Sequence, residues 1–307
     1  MHTTPIYELE YTAKTLAFYT KIGRAMTPEE LWRAIPPSKR PEDMEELYDI
    51  LDMLEGKGFI TQSAGMIAVQ HLYEGEIPTQ EKRKKIESEK WEILLKHREL
   101  FSHIPFLDFA LVSGSLALGN ARESSDFDIT IGARRGRIFT TRFFTLLTFG
   151  IRGLRRRPKD GKDKFCFPHF VAPDGYRLMG PHTFGWHQIY QNLIPIYGNE
   201  DAVIKFFKAN DWVERAPVVF GNTWMPAKKS VSRIVCEVLL TGPLGSIFEW
   251  IIKKVQLAKI KKQKDVRERE KGARIYLRDD ELECHLREPE FRTAMEEIDR
   301  HLKLLHP

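Results

Sequence analysis

The residues best able to do chemistry lie in one short stretch: Val112-Ser113-Gly114-Ser115, ten intervening residues, then Asp126-Phe127-Asp128. An apolar run from Phe109 to Val112 leads into the first part, and a second, Phe127 to Ile131, carries the other. The pattern predicts a strand, a Gly-Ser turn with a short helix start, and a second strand. Strand side chains alternate, so Asp126 and Asp128 are expected on one face, with Phe127 and Ile129 in the core. Two carboxylates on one face repel each other unless a proton or cation sits between them. Next to a turn that offers backbone N–H groups and a hydroxyl, the occupant this chemistry suits is Mg²⁺ carrying a polyphosphate.

The spacing GS-x10-DFD resembles the active-site motif of the polymerase-β-type nucleotidyltransferase superfamily, and the wider resemblance covers roughly residues 90–200. The resemblance implies that Gly114 and Ser115 bind phosphate and that Asp126 and Asp128 are metal ligands, with Mg²⁺ (or Mn²⁺) as cofactor. It further implies a nucleoside triphosphate as substrate and transfer of a nucleoside monophosphate to an unidentified hydroxyl acceptor on a small molecule, protein or nucleic acid. Arg122 is expected to join the phosphate-binding group. The cluster Arg134, Arg135 and Arg137 is close enough in sequence to neutralise phosphate, although a solvated surface is an equal reading. The superfamily usually carries a third carboxylate on a later strand, for the second metal or to deprotonate the acceptor. Here that strand reads Phe165-Cys166-Phe167-Pro168-His169-Phe170-Val171, without an acid. His169 is the expected stand-in, as base or metal ligand. The missing acid leaves a second reading open: a non-catalytic nucleotide-sensing or regulatory protein on a degenerate nucleotidyltransferase domain.

The elements that position these groups follow from the chain's length and patterning. With 307 residues and 42% apolar content, two or three domains with sizeable cores are expected, and a disordered chain is excluded. No apolar run reaches the length of a membrane span, and the N-terminus lacks a signal peptide's apolar core. Three dispersed cysteines, Cys166, Cys236 and Cys284, fit neither a zinc pattern nor a disulfide scaffold, so a cytoplasmic protein is expected. The net charge of +5 arises in basic blocks: Arg134–Arg137, Arg152–Lys164 and Lys253–Lys271. These suit solvated faces or attraction of a polyanion.

The fold class expected is α+β: a nucleotidyltransferase-type mixed sheet flanked by helices, an N-terminal winged-helix-like domain and a helical C-terminal region. The boundaries expected are 1–78, 79–225 and 226–307. In the first part, helices are predicted over 12–21, from Thr27 (an N-cap with Pro28 and Glu30) and over about 42–55, followed by extended runs 59–62 and 66–70. Three helices and a hairpin resemble the winged-helix plan. Its third helix is acidic and would repel DNA phosphates, so a protein partner is favoured over nucleic acid. A charged helix over 79–103 then leads into strands at 109–113, 126–132 and 165–172, with an extended piece at 176–179. Helices over about 137–152 and 182–192 complete that region. His182, Trp186, His187 and Tyr190 are expected to be core more than a base-stacking pocket. Helices at 231–240 and 244–264 follow, the second basic and amphipathic. It is expected to pack its apolar face on the catalytic domain more than on a membrane or nucleic acid.

Overall fold

The computed structural model describes residues 6–72, 79–157, 160–180, 182–262, 274–285 and 288–305. Parts of two predicted basic blocks, at 158–159 and 263–271, lie outside the described residues. The protein is a mixed α+β chain that divides into two compact units. The first comprises Met1–Lys85, Glu214–Pro217 and Glu290–Pro307; the second comprises Ile86–Val213 and Val218–Pro289.

The first unit begins with α1 (Ile6–Lys21), α2 (Pro28–Ala34) and α3 (Met44–Gly56). Antiparallel strands β1 (Ile60–Ser63) and β2 (Met66–Val69) follow. The start of α2 is fixed as its sequence dictates: Thr27 accepts from the Glu30 N–H, and the Glu30 carboxylate accepts from the Thr27 N–H. Leu16, Leu31, Leu47, Ile50, Leu51, Leu54 and Ile60 are fully buried and form its core. The outer side of α3 presents Glu45, Tyr48, Asp49, Asp52 and Glu55 to solvent.

The second unit is built on a seven-stranded mixed sheet of order β7-β6-β3-β4-β5-β9-β8. Part of α4 (Gln80–Lys96) precedes the central hairpin, β3 (Leu107–Ser113) and β4 (Phe127–Ala133), whose strands are joined through the short α5 (Gly114–Ala117). Then come α6 (Ile138–Ile151), β5 (Phe165–Val171) parallel to β4, α7 (Phe184–Gln191), β6 (Ile194–Gly198) antiparallel to β3, and α8 (Glu200–Ala209). The short β7 (Met225–Pro226), α9 (Val231–Leu239) and α10 (Gly242–Lys262) lead to the hairpin β8 (Arg274–Leu277) and β9 (Glu281–His285). One face of the sheet buries Val112, Phe127, Ile129, Ile131, Phe165 and Phe170 against Leu94 of α4, Phe101, and Phe139 and Phe149 of α6. Burying such aromatic and branched side chains is worth roughly 1.5–3 kcal/mol each, which fixes which side of β4 faces inward.

Two expectations are corrected. The C-terminal region is not wholly helical, since β9 pairs antiparallel with β5 and extends the main sheet. Residues 218–289 belong to the second unit, while 290–307, including most of α11 (Glu288–Leu302), belong to the first. There Lys14 and Lys21 of α1 pair with Asp299 and Glu297 of α11, both at 2.7 Å. The expected extended piece at 176–179 is irregular backbone.

Candidate functional site

The site forms where the C-terminal end of β3 meets the N-terminal ends of β4 and β5. Ser113 lies opposite Asp128, and Asp128 lies beside Cys166. Gly114 adopts φ +62°, a left-handed conformation that glycine alone takes without strain. A Cβ at this position would overlap Asp128 Oδ2 and stand 3.0 Å from its Cγ. The turn backbone therefore packs directly on the Asp128 carboxylate, as the spacing from Gly114 to Asp128 requires. Ser115 follows, half-buried, as the second residue of α5. Its carbonyl accepts the Asn120 N–H at 3.0 Å, closing the turn.

Asp126 immediately precedes β4 and is half-exposed, as is Asp128, while Phe127 and Ile129 are fully buried. Single ligand atoms of Asp126, Asp128 and Cys166 lie within 4.8 Å of one another. The position beside Asp128, where a third carboxylate was sought, thus belongs to Cys166. Burial, then the nearby Asp128 and Asp126 carboxylates, pushes the Cys166 thiol up to about 12, so it is neutral at physiological pH. Oxygen donors from Asp126 and Asp128 fit a hard cation such as Mg²⁺, whereas a neutral thiol does not. The residues present therefore fit one such ion held by two carboxylates.

A cation already belongs to the site. Arg156 Nε lies 2.9 Å from Asp126 Oδ2, and Arg156 Nη1 approaches Cys166 Sγ at 3.9 Å. Burial disfavours the guanidinium, but Asp126, Cys166 and Asp128 outweigh it and raise its pKa. Arg156 is placed by backbone pairing: its N–H donates to the Phe165 carbonyl at 2.9 Å, laying this segment beside the start of β5. Sequence reasoning saw only a basic loop here. The one available signal was the block Arg155-Arg156-Arg157 lying ten residues before an apolar strand.

Lys90 of α4 is a second functional group that the sequence did not disclose. Its buried ammonium donates to the carbonyls of Glu123 and Ser125 at 2.8 Å each and to Asp163 Oδ1 at 2.6 Å. The Asp163 N–H donates to the Ser125 carbonyl at 3.2 Å, and the Phe127 N–H to the Lys164 carbonyl at 2.8 Å. Lys90 and Asp163 thus clamp the loop that delivers Asp126. Arg122 lies in this same exposed loop, where its N–H bonds Ser125 Oγ at 2.9 Å.

His169 is not part of this cluster, which corrects its expected place. An irregularity between β4 and β5 sets Asp128 beside Cys166 but Thr130 beside His169, so His169 lies further along the strand. It is buried with Glu281 and Glu283 of β9, its Nε2 3.2 Å from Glu281 Oε1. Glu283 accepts from the Tyr190 hydroxyl at 3.3 Å. Ligand atoms of His169, Glu281 and Glu283 also lie within 4.8 Å of one another, in a wholly buried group. The arginines after β4 turn elsewhere too: Arg135 pairs with Asp174 at 2.7 Å, and Arg134 and Arg137 sit over the Phe106 ring. They follow the far end of β4, about 25 Å from Asp126 at the usual rise of a strand. Trp186 and Tyr190 are buried core residues, and His182 stacks on Trp212 with ring centroids 4.0 Å apart.

Comparison of this chain with protein-family models, curated proteins and solved structures gives no match.

Proposed function

We propose that the second unit binds a nucleoside triphosphate with Mg²⁺ or Mn²⁺ and transfers its nucleoside monophosphate to a hydroxyl acceptor, releasing pyrophosphate. The observation that carries this reading is the packing of the Gly114 turn on the Asp128 carboxylate, with Asp126 alongside. It couples a backbone able to approach phosphate closely with two oxygen donors. Asp126 and Asp128 would hold the cation, which would supply charge neutralisation for the phosphates. Ser115 and the turn backbone orient the phosphates, and Arg156 neutralises charge beside them. The Cys166 thiol takes no proton at neutral pH, so the acceptor hydroxyl loses its proton to solvent or to a group of the acceptor's own.

The neutral Cys166 beside Asp128 favours a second reading, a nucleotide sensor without turnover. Titration calorimetry with nucleoside triphosphates, with and without Mg²⁺, run beside a pyrophosphate-release assay over an acceptor panel, separates the two. Turnover that Asp126→Asn/Asp128→Asn abolishes supports the enzyme; tight Mg²⁺-dependent binding with no turnover supports the sensor. Absence of any Mg²⁺-dependent nucleotide binding rejects both.

For the first unit we propose a winged-helix-like module that contacts a protein partner. The solvent side of α3 is acidic, with Tyr48 and Met53 exposed among its carboxylates. Such a face repels a phosphate backbone.

A further inference from the structure

Helices α9 and α10 are held on the rest of the second unit by buried polar groups, helped in α10 by Phe248, Leu257 and Ile260, while most of their other apolar side chains face solvent. In α9, Arg233 and Glu237 are buried, whereas Val231 is 79% and Val238 70% exposed, and Ile234, Val235 and Leu239 are exposed with them. The buried pair is fully engaged. Arg233 Nε meets Glu237 Oε1 at 2.8 Å, Arg233 Nη2 donates to the Leu107 carbonyl at 2.7 Å, and Glu237 accepts the Phe106 N–H at 2.9 Å.

The next helix repeats this in its first half. Glu249 of α10 accepts the N–H groups of Phe139 and Thr140 at the start of α6, both at 2.8 Å. Gln256 bonds the Phe139 carbonyl and Arg142 at 2.8 and 2.6 Å. Meanwhile Leu244 is 71% and Trp250 56% exposed, and Ile247, Ile251 and Val255 are exposed beside them. Of the apolar residues expected to pack on the protein, Leu257 and Ile260 do so, whereas Ile247, Trp250, Ile251 and Val255 face solvent.

We propose that α9 and α10 form a docking face for an anionic lipid surface, with the helices lying in the headgroup region. Monomeric proteins rarely leave apolar patches beyond a few hundred Å² in water, and exposed apolar residues on two consecutive helices exceed the scatter of single exposed residues. The charge pattern selects the occupant. Residues 228–262 contain seven lysines and only two carboxylates, Glu237 and Glu249. Both carboxylates are spent on internal bonds, while Lys254 and Lys259 are exposed beside the apolar residues. Lys254 Nζ lies over the Trp250 ring, 3.6 Å from its centroid, an aromatic–lysine pair suited to a headgroup layer. A second copy of the chain would bring two lysine-bearing faces together, so a homodimer is disfavoured on the same grounds.

The geometry points to lying on the membrane rather than crossing it. No single described helix is long and apolar enough to cross, and α9 and α10 meet at a 95° bend. One side of α10 is also committed to α6 through Glu249 and Gln256, so hydrocarbon cannot surround it.

The test is flotation of the full chain with phosphatidylcholine vesicles, with and without phosphatidylglycerol. The expected result is binding that requires the anionic lipid and weakens with salt. Val238→Ser/Leu239→Ser and Ile247→Ser/Ile251→Ser, all at exposed positions, should each weaken it roughly tenfold or more. Lys254→Glu/Lys259→Glu should weaken it selectively on anionic vesicles, and circular dichroism confirms that each variant is folded. No binding at low salt, or binding unchanged in the folded serine variants, overturns the proposal. So does light-scattering evidence of a dimer that the same serine variants dissociate, since the face is then a contact between copies.

Discussion

The carboxylate of Asp128 occupies the space into which a Cβ at Gly114 would project, so the turn after β3 and the strand that follows it are fitted to each other. Residue 114 must also be left-handed, at φ +62°. Gly114→Ala therefore meets two penalties at once, a strained backbone and an overlap that forces the Asp128 carboxylate to rotate away from the turn. The expected outcome is a loss of roughly 1–3 kcal/mol of stability. Mn²⁺-dependent nucleotide affinity should fall at least tenfold, by about the free energy of one such local rearrangement. Chemical denaturation and calorimetry on the same preparation check both, and wild-type affinity in the variant contradicts the assignment of this turn to phosphate.

Cys166 should be a poor nucleophile. With its pKa pushed up to about 12, the thiolate is on the order of one part in ten thousand at pH 8, against a quarter for an ordinary cysteine. Mass mapping after iodoacetamide treatment should show Cys166 alkylated far more slowly than a model thiol. Rapid labelling rejects the buried, anion-flanked environment. Conversely, Cys166→Asp places a third carboxylate beside Asp128, and Mg²⁺ affinity is expected to rise several-fold.

Lys90→Met removes the ammonium that ties Asp163 to the Glu123 and Ser125 carbonyls. Removing the buried ammonium leaves the partly buried Asp163 carboxylate and two carbonyls without their donor, a cost of about 1–3 kcal/mol. Urea unfolding should report a loss of this size, and Mn²⁺ affinity should drop as the loop carrying Asp126 loosens. Asp163→Asn, which keeps an acceptor, should lose less. Equal losses in the two variants argue against the clamp.

Glu237 gives the fold a pH dependence of known sign. Burial raises its pKa, but bonds from Lys229, Arg233 and the Phe106 N–H outweigh this and hold it down to about 2. The folded value lies below the ordinary unfolded value near 4.3, so the carboxylate's stabilisation is complete above about pH 5 and is lost as pH falls toward 2. The amount is about 3 kcal/mol at neutral pH. The stability difference between wild type and Glu237→Gln should be flat from pH 8 to 5 and shrink below. A difference that does not change with pH means the bonds are made equally well by the amide. Half-buried Asp108, whose pKa is raised first by desolvation and further by Glu237 itself, acts in the opposite direction, and its response to the substitution is part of the measured difference.

What the sequence determined by itself is what neighbouring residues decide among themselves. Thr27, Pro28 and Glu30 begin α2 because their donors and acceptors are within one turn of each other. The apolar runs beside Gly114 and Asp126 define a strand–turn–strand unit whose partners are adjacent in the chain, so the pairing of Ser113 with Asp128 follows from loop length. Tertiary structure decided whatever depends on partners far along the chain. Cys166 rather than His169 stands beside Asp128 because the β4–β5 register, with its irregularity, is set by packing between strands separated by a helix and a basic loop. Arg156 and Lys90 reach the site only through that packing, and Glu281 and Glu283 enclose His169 because β9 returns to the sheet from over a hundred residues away. Periodicity likewise revealed α10 as a two-faced helix but not which of its apolar residues turn inward. That depended on partners waiting for Arg233, Glu237, Glu249 and Gln256, and satisfying those buried polar groups kept Val231, Val238, Leu244, Ile247 and Trp250 in solvent.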